Sequence, residues 1–228
     1  MTATVQRILI LGGTKEAAAL ARKLAQEGHA VTTSLAGRTK EPKPLAGAVR
    51  IGGFGGAEGL QHYLEVEKID LLIDATHPFA EQISKNARAA ARNTSVPLEV
   101  RTRPPWRETS GDRWTVVPSL ADAVEAIPPN ARVLLALGSQ HIAPFAARKD
   151  VHFIVRMVDP PEQPLTIPRY TLVLGRPSSD PIVEGELLKE HQISHIVCRN
   201  SGGVGAYAKI EAARALAMPM IMIGRTQR

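Results

Sequence analysis

Residues 7–28, RILILGGTKEAAALARKLAQEG, constrain the fold more than any other stretch of the chain. Four aliphatics in a row suit a strand buried on both faces. The pair Gly12 and Gly13 breaks the run. Ala17, Leu20, Ala21 and Leu24 then recur at helical spacing until Gly28 ends the helix. A strand that turns through glycines straight into a helix commits the chain to parallel α/β structure, because a parallel neighbour is reached only by a crossover.

The pattern continues along the chain. In the first half strands are expected at 30–35, 48–53, 69–76 and 97–101, with helices at 58–68 and 78–93, the second carrying Pro78 in its first turn. RTRPPWRETSGDRW (101–114) gathers prolines, charges and both tryptophans, and reads as a connection between domains. Beyond it strands are expected at 114–117, 131–137, 151–158, 170–175, 194–200 and 218–224. Helices are expected at 119–127, 140–148, 180–191 and 205–217, while the proline-rich 159–168 is a loop. The expected architecture is two Rossmann-like three-layer α/β domains, 1–104 and 105–228, whose parallel sheets flank a cleft. Ligands in such sheets bind beyond the carboxyl ends of the strands.

Composition narrows the function. Hydrophobic residues make up 44% of the 228 and aromatics only 4%, which is the balance of a globular protein with aliphatic cores. No apolar run reaches the ~18 residues of a membrane span, and MTATVQR leads into the first strand without a signal-peptide core, so a cytoplasmic protein is expected. Cys198 is the only cysteine, which rules out an internal disulfide, and no metal site is expected. The net charge of +6 is scattered rather than blocked, a field suited to a small polyanionic substrate more than to nucleic acid. The oligomeric state stays open, a monomer included.

Several motifs fall at strand ends. Gly12, Gly13 and Thr14 suit a pyrophosphate at the N-terminus of the first helix, with Glu16 in its first turn, although the same glycines also fit a plain tight turn. The second strand runs into SLAGRT without the acid that holds a ribose 2′-hydroxyl. Ser34, Arg38 and Thr39 offer instead a guanidinium between hydroxyls, which favours a 2′-phosphate and therefore NADPH over NADH. RIGGFGGAEG (50–59) has five glycines around Phe54, so Gly53 and Phe54 either meet the adenosine or form a turn with Phe54 in the core. In DATHPFA (74–80), Thr76 and His77 are candidates to touch the nicotinamide ribose or the substrate. His77 is a candidate proton donor, or alternatively only a partner for backbone groups, and Asp74 is structural.

In the second half LALGSQH, with Ser139, and CRNSGGVGAYAK place small polar residues after apolar strands. Arg199, Asn200, Ser201, Gly202 and Lys209 are candidates for an anionic substrate, the alternative being a glycine turn beside a solvated lysine. No Tyr-x-x-x-Lys pair supports a small-carbonyl reductase.

Taken in order, LILGGTKEAAALA, SLAGRT, GGFGG, DATHPFA, RPPW, NSGG and KIEAARALAMPMIMI resemble the precorrin-6A reductase family of cobalamin biosynthesis, over residues 7 to about 224. The resemblance implies reduction of one double bond of precorrin-6A to precorrin-6B by NADPH, in two Rossmann-like domains without flavin or metal. It implies the pyrophosphate at Gly12, Gly13 and Thr14, the 2′-phosphate at Ser34, Arg38 and Thr39, and Gly53, Phe54, Thr76 and His77 along the rest of the cofactor. The acidic tetrapyrrole suits Arg101, Arg103 and Arg107 at the domain junction. A cobalt-precorrin-6A reductase and a non-catalytic NADP(H)-binding redox sensor are the alternatives. The chain departs from the family at its end, where an arginine-proline pair is common and GRTQR stands here.

Overall fold

The computed structural model describes residues 4–37 and 44–225 and divides into two compact units, Met1–Arg103 and Pro104–Arg228. No helix among the described residues is long and apolar enough to cross a membrane.

The first unit runs β1 (Arg7–Leu11), α1 (Lys15–Gln26), β2 (Ala30–Leu35), β3 (Ala48–Ile51), α2 (Ala57–Val66), β4 (Leu71–Asp74), α3 (Glu81–Thr94) and β5 (Leu98–Val100). Its sheet has the order β3-β2-β1-β4-β5, every pair parallel. Strand β1 explains why helices cover both faces. Ile8 and Ile10 share a buried cluster with Ala17 and Ala21 of α1, while Leu9 and Leu11 join Leu60 and Leu64 of α2 and Ala87 and Ala90 of α3. Each of the isoleucines and leucines contributes roughly 1.5–3 kcal/mol by leaving water, so the alternation along one strand fixes both layers.

The second unit runs β6 (Trp114–Val117), α4 (Leu120–Glu125), β7 (Arg132–Ala136), β8 (His152–Met157), β9 (Tyr170–Leu174), α5 (Pro181–Glu190), β10 (His195–Arg199), α6 (Ala208–Ala215) and β11 (Met220–Ile223). Its order is β6-β11-β10-β7-β8-β9, again all parallel. Leu134, Ile154, Ile196, Cys198 and Met222 from the central strands bury themselves with Leu188 of α5 and Ile210 of α6. Burial pushes the Cys198 thiol up, as suits an inert core residue. Asp180 caps α5 by accepting from Ile182 N at 2.8 Å, with Pro181 in the first turn where no N–H is needed.

Several elements are shorter than the sequence pattern, among them α6, expected over 205–217, and β4, expected over 69–76, and two differences have a local cause. The helix expected over 140–148 is a pair of 3₁₀ turns, Ser139–His141 and Ala143–Ala147. Pro144 lacks the N–H an α-helix would use there and disfavours helical geometry at Ala143. The helix expected from 78 begins at Glu81, because residues 77–80 first form a turn closed by Ala80 N donating to the His77 carbonyl at 2.8 Å, so Pro78 precedes the helix.

In each sheet the chain reverses its direction of strand addition once. In the first unit the reversal lies between β1 and β4, in the second between β7 and β10. The carboxyl ends of those strands carry the glycine and polar motifs, at the position where α/β sheets leave a crevice.

Candidate functional site

At the first reversal, the turn after β1 is open in one direction and packed in the other. A Cβ on Gly12 would stand 2.7 Å from Thr33 Cγ2, so Gly12 is required by close packing. Gly13 has φ +102° and nothing within 4 Å of its missing side chain, so its backbone faces free space. Thr14 caps α1 by accepting from Ala17 N at 3.0 Å, and its hydroxyl donates to the Ala75 carbonyl at 3.0 Å. That second bond ties the turn after β1 to the turn after β4. It also engages the Thr14 hydroxyl proton, which leaves backbone N–H groups at the N-terminus of α1 as donors in this turn. Arg103 Nη1 lies 2.7 Å from the Glu16 carboxylate, offsetting a negative charge that would otherwise oppose an anion in the first turn.

After β4, Asp74 is 2% exposed and accepts from Thr76 N at 3.1 Å, Thr76 Oγ1 at 2.6 Å and Ser84 Oγ at 2.5 Å. Three donors on one buried carboxylate make it the brace of the loop, in the structural role the sequence suggested. His77 Nδ1 accepts from Phe79 N at 3.3 Å, so its neutral ring carries the proton on Nε2.

At the ends of β2 and β3, Ser34 is buried and accepts from Gly12 N through its carbonyl at 2.9 Å. Arg38 and Thr39 lie outside the described residues. Gly52, Gly53, Gly55 and Gly56 have nothing within 4 Å of their missing side chains, so this turn too exposes its backbone. Phe54 is not simply a ligand platform. It packs edge-on against Tyr63 at 5.3 Å beside the α2–α3 core, and the Arg50 guanidinium lies 3.9 Å above its ring centre. Arg50 donates to the Gly52 carbonyl at 2.6 Å and the Gly53 carbonyl at 2.9 Å.

The second reversal is built differently. The Asn200 side chain forms a two-bond clasp with Trp106, its Oδ1 accepting from Trp106 N at 2.8 Å and its Nδ2 donating to Trp106 O at 2.9 Å. Trp106 Nε1 donates to the Gly203 carbonyl at 2.8 Å. Gly202 has φ +64°, and a Cβ there would fall 2.0 Å from the Pro104 carbonyl. Arg225 donates from Nε to the Asn200 carbonyl and from Nη2 to the Ser201 carbonyl, each at 2.8 Å. Lys209 is 6% exposed, with Nζ 2.8 Å from the Ala206 carbonyl and 4.6 Å above Trp106, which excludes a solvated lysine. Across the reversal, Arg199 Nη1 lies 2.8 Å from His141 Nε2, linking the loops after β10 and β7. A guanidinium only donates, so Nε2 accepts and the His141 proton sits on Nδ1. Ser139 and Arg107 are exposed.

The side chains of Asn200 and Lys209, expected at an anionic substrate, are therefore engaged within the fold. Ser201 N donates to the Arg199 carbonyl at 2.7 Å, so the backbone donors this loop still offers are the N–H groups of Gly202 and Gly203. Arg50 and Arg225 were not singled out from the sequence. Arg50 had a visible signal, a charge inside a short apolar strand before five glycines. Arg225 had none, because its acceptors are carbonyls more than twenty residues away.

The chain matches the family model described as precorrin-6x reductase CbiJ/CobK over residues 7–228. It is 49% identical over 220 residues to a precorrin-6A reductase of Rhodobacter capsulatus, covering 96% of this chain and 88% of that one. A cobalt-precorrin-6A reductase of Priestia megaterium is 30% identical over 231 residues, covering 96% of this chain and 90% of the relative. Among solved structures, a CobK precorrin-6A reductase superposes with a TM-score of 0.94 at 48% identity, covering 98% of this chain and 89% of that one.

Proposed function

We propose, from the premise that this chain belongs to the precorrin-6x reductase family, that it reduces precorrin-6A to precorrin-6B with NADPH in cobalamin biosynthesis. The observation that carries this reading is the near full-length match to precorrin-6A reductases in both sequence and fold. The higher identity to a relative named for precorrin-6A than to one named for cobalt-precorrin-6A supports the metal-free substrate.

The residues of the first unit fit a dinucleotide. Gly13 leaves room for a pyrophosphate against its backbone, and the N-terminus of α1 supplies donors and a favourable dipole. The acid-free end of β2, with Ser34, Arg38 and Thr39, supports a 2′-phosphate there. When bound, NADPH supplies the hydride. Thr76 and His77 border the nicotinamide end, Thr76 through a backbone that Asp74 holds in place. His77 Nε2 is the group in this loop able to give a proton to the carbon beside the reduced one.

In the second unit, the backbone N–H groups of Gly202 and Gly203 together with Ser139, Arg199 and Arg107 receive the acetate and propionate groups of the macrocycle. The clasped loop holds those donors still, so catalysis rests more on positioning than on acid strength.

The test is direct. Purified protein with precorrin-6A is expected to oxidise NADPH in step with product formation, with kcat/KM for NADPH at least about tenfold above that for NADH, a difference of ~1.4 kcal/mol. NADPH binding without turnover would overturn the enzymatic reading in favour of a sensor.

A further inference from the structure

We infer that Arg50 sets the preference for a 2′-phosphorylated adenosine, acting at the end of β3 as a second cation beside the turn after β2. The inference rests on the NADPH reading above and names a residue that reading did not use.

Register places it there. In the parallel pair β2–β3, Ser34 is the partner of Arg50 and Leu35 of Ile51, so Ser34 and Arg50 stand side by side on one face of the sheet. Gly52 N then donates to the Leu35 carbonyl at 2.9 Å, and a Cβ on Gly37 would come within 3.1 Å of Ile51. The exits of the two strands therefore run together, and the position where a Rossmann unit meets the ribose 2′ substituent lies beside the β3 turn as well as the β2 turn.

Chemistry supplies the rest. Arg50 is half-buried, and no carboxylate among the described residues pairs with it. Its two hydrogen bonds go to neutral carbonyls, those of Gly52 and Gly53, which orient the group without cancelling its charge. The Phe54 ring, its centre 3.9 Å from the guanidinium carbon, holds the group from one side. A guanidinium has five N–H donors, so three remain after these two bonds. An oriented cation with spare donors, beside an open glycine turn, is what a phosphate dianion recognises and a hydroxyl does not.

The same bonds also brace the turn, so the experiment must separate charge recognition from shape. Affinities of the full chain for 2′,5′-ADP and 5′-AMP, measured by calorimetry, do this, because the two probes differ only in the 2′-phosphate. Arg50→Met keeps an apolar stem over Phe54 and removes the charge. It is expected to weaken 2′,5′-ADP roughly 10- to 100-fold and 5′-AMP less than about threefold. Arg50→Lys keeps the charge without the planar fork and is expected to fall between Arg50→Met and the unaltered protein for 2′,5′-ADP. Equal losses for both probes would reduce Arg50 to a brace and overturn the inference, as would unchanged binding. An unaltered protein that fails to prefer 2′,5′-ADP over 5′-AMP would instead remove the NADPH reading itself, and this inference with it.

Discussion

The two chain reversals occupy the same place in their sheets and solve opposite problems. In the first unit the turns after β1 and β3 leave backbone facing empty space, with Gly13 and the 52–56 turn unobstructed. In the second unit the loop after β10 is crowded, with Gly202 pressed on Pro104 and the carbonyls of Asn200, Ser201 and Gly203 each taken by an arginine or a tryptophan. Gly13 serves approach, whereas Gly12 in the same turn and Gly202 in the other loop serve compactness. A glycine-rich strand end therefore does not by itself identify a ligand site, and what lies where the Cβ would be decides the matter.

Alanine at one glycine of each loop should expose that difference most strongly. Gly202→Ala adds left-handed strain and a backbone clash, and is expected to cost about 2–4 kcal/mol in urea unfolding. Gly13→Ala meets no neighbour, so its stability cost should stay near 1–2 kcal/mol, while NADPH affinity drops at least about tenfold, or ~1.4 kcal/mol. Similar stability costs with unchanged cofactor affinity would erase the distinction.

Releasing the clamp sharpens it further. Arg225→Ala should lower kcat/KM for the tetrapyrrole by roughly 10- to 100-fold, through small displacements of the 200–203 loop, and leave NADPH affinity within about twofold. Arg225→Lys should recover part of the loss. A parallel fall in NADPH affinity would show that the two loops are not separable in this way.

Acid tests the second unit most gently. Asp112 has a side chain 1% exposed, facing Arg214 Nε at 3.1 Å. Burial alone would raise its pKa, but the bonds from Arg214 and Thr109 outweigh burial and hold the carboxyl below the usual range. Its folded pKa is thus below the unfolded value of about 3.9, so its contribution is present above that pH and is lost as the pH falls toward the folded value. Asp112→Asn should flatten the acid limb of the stability profile by at most about 1 kcal/mol. An unchanged limb would mean that the pair contributes nothing.

The sequence made much of the frame legible. Strands β1, β2 and β6 occupy the stretches expected for them, and β1 does so most plainly because a strand buried in a parallel sheet is written in consecutive apolar residues. The 139–147 segment misled, since its composition is helical while Pro144 forbids the continuous ladder. In the site, the glycines and Thr14 were visible as a strand-to-helix turn. What stayed hidden were the partners. The Asn200 clasp spans 94 residues to Trp106, and Lys209 turns inward toward the same indole. No local pattern distinguishes an amide aimed at a ligand from one aimed at a distant backbone.

Trp106 has one more consequence, a spectroscopic one. The chain's two indoles, Trp106 and Trp114, both belong to the second unit, so tryptophan fluorescence, excited where tyrosine does not absorb, is an optical label for that unit alone. The indole of Trp106 is bonded to Gly203 and lies beneath the Lys209 ammonium. Its emission therefore reads the state of the 200–203 loop, while circular dichroism reads both sheets. A denaturation curve in which the two signals part company would measure how independently the clamped loop melts from the open one.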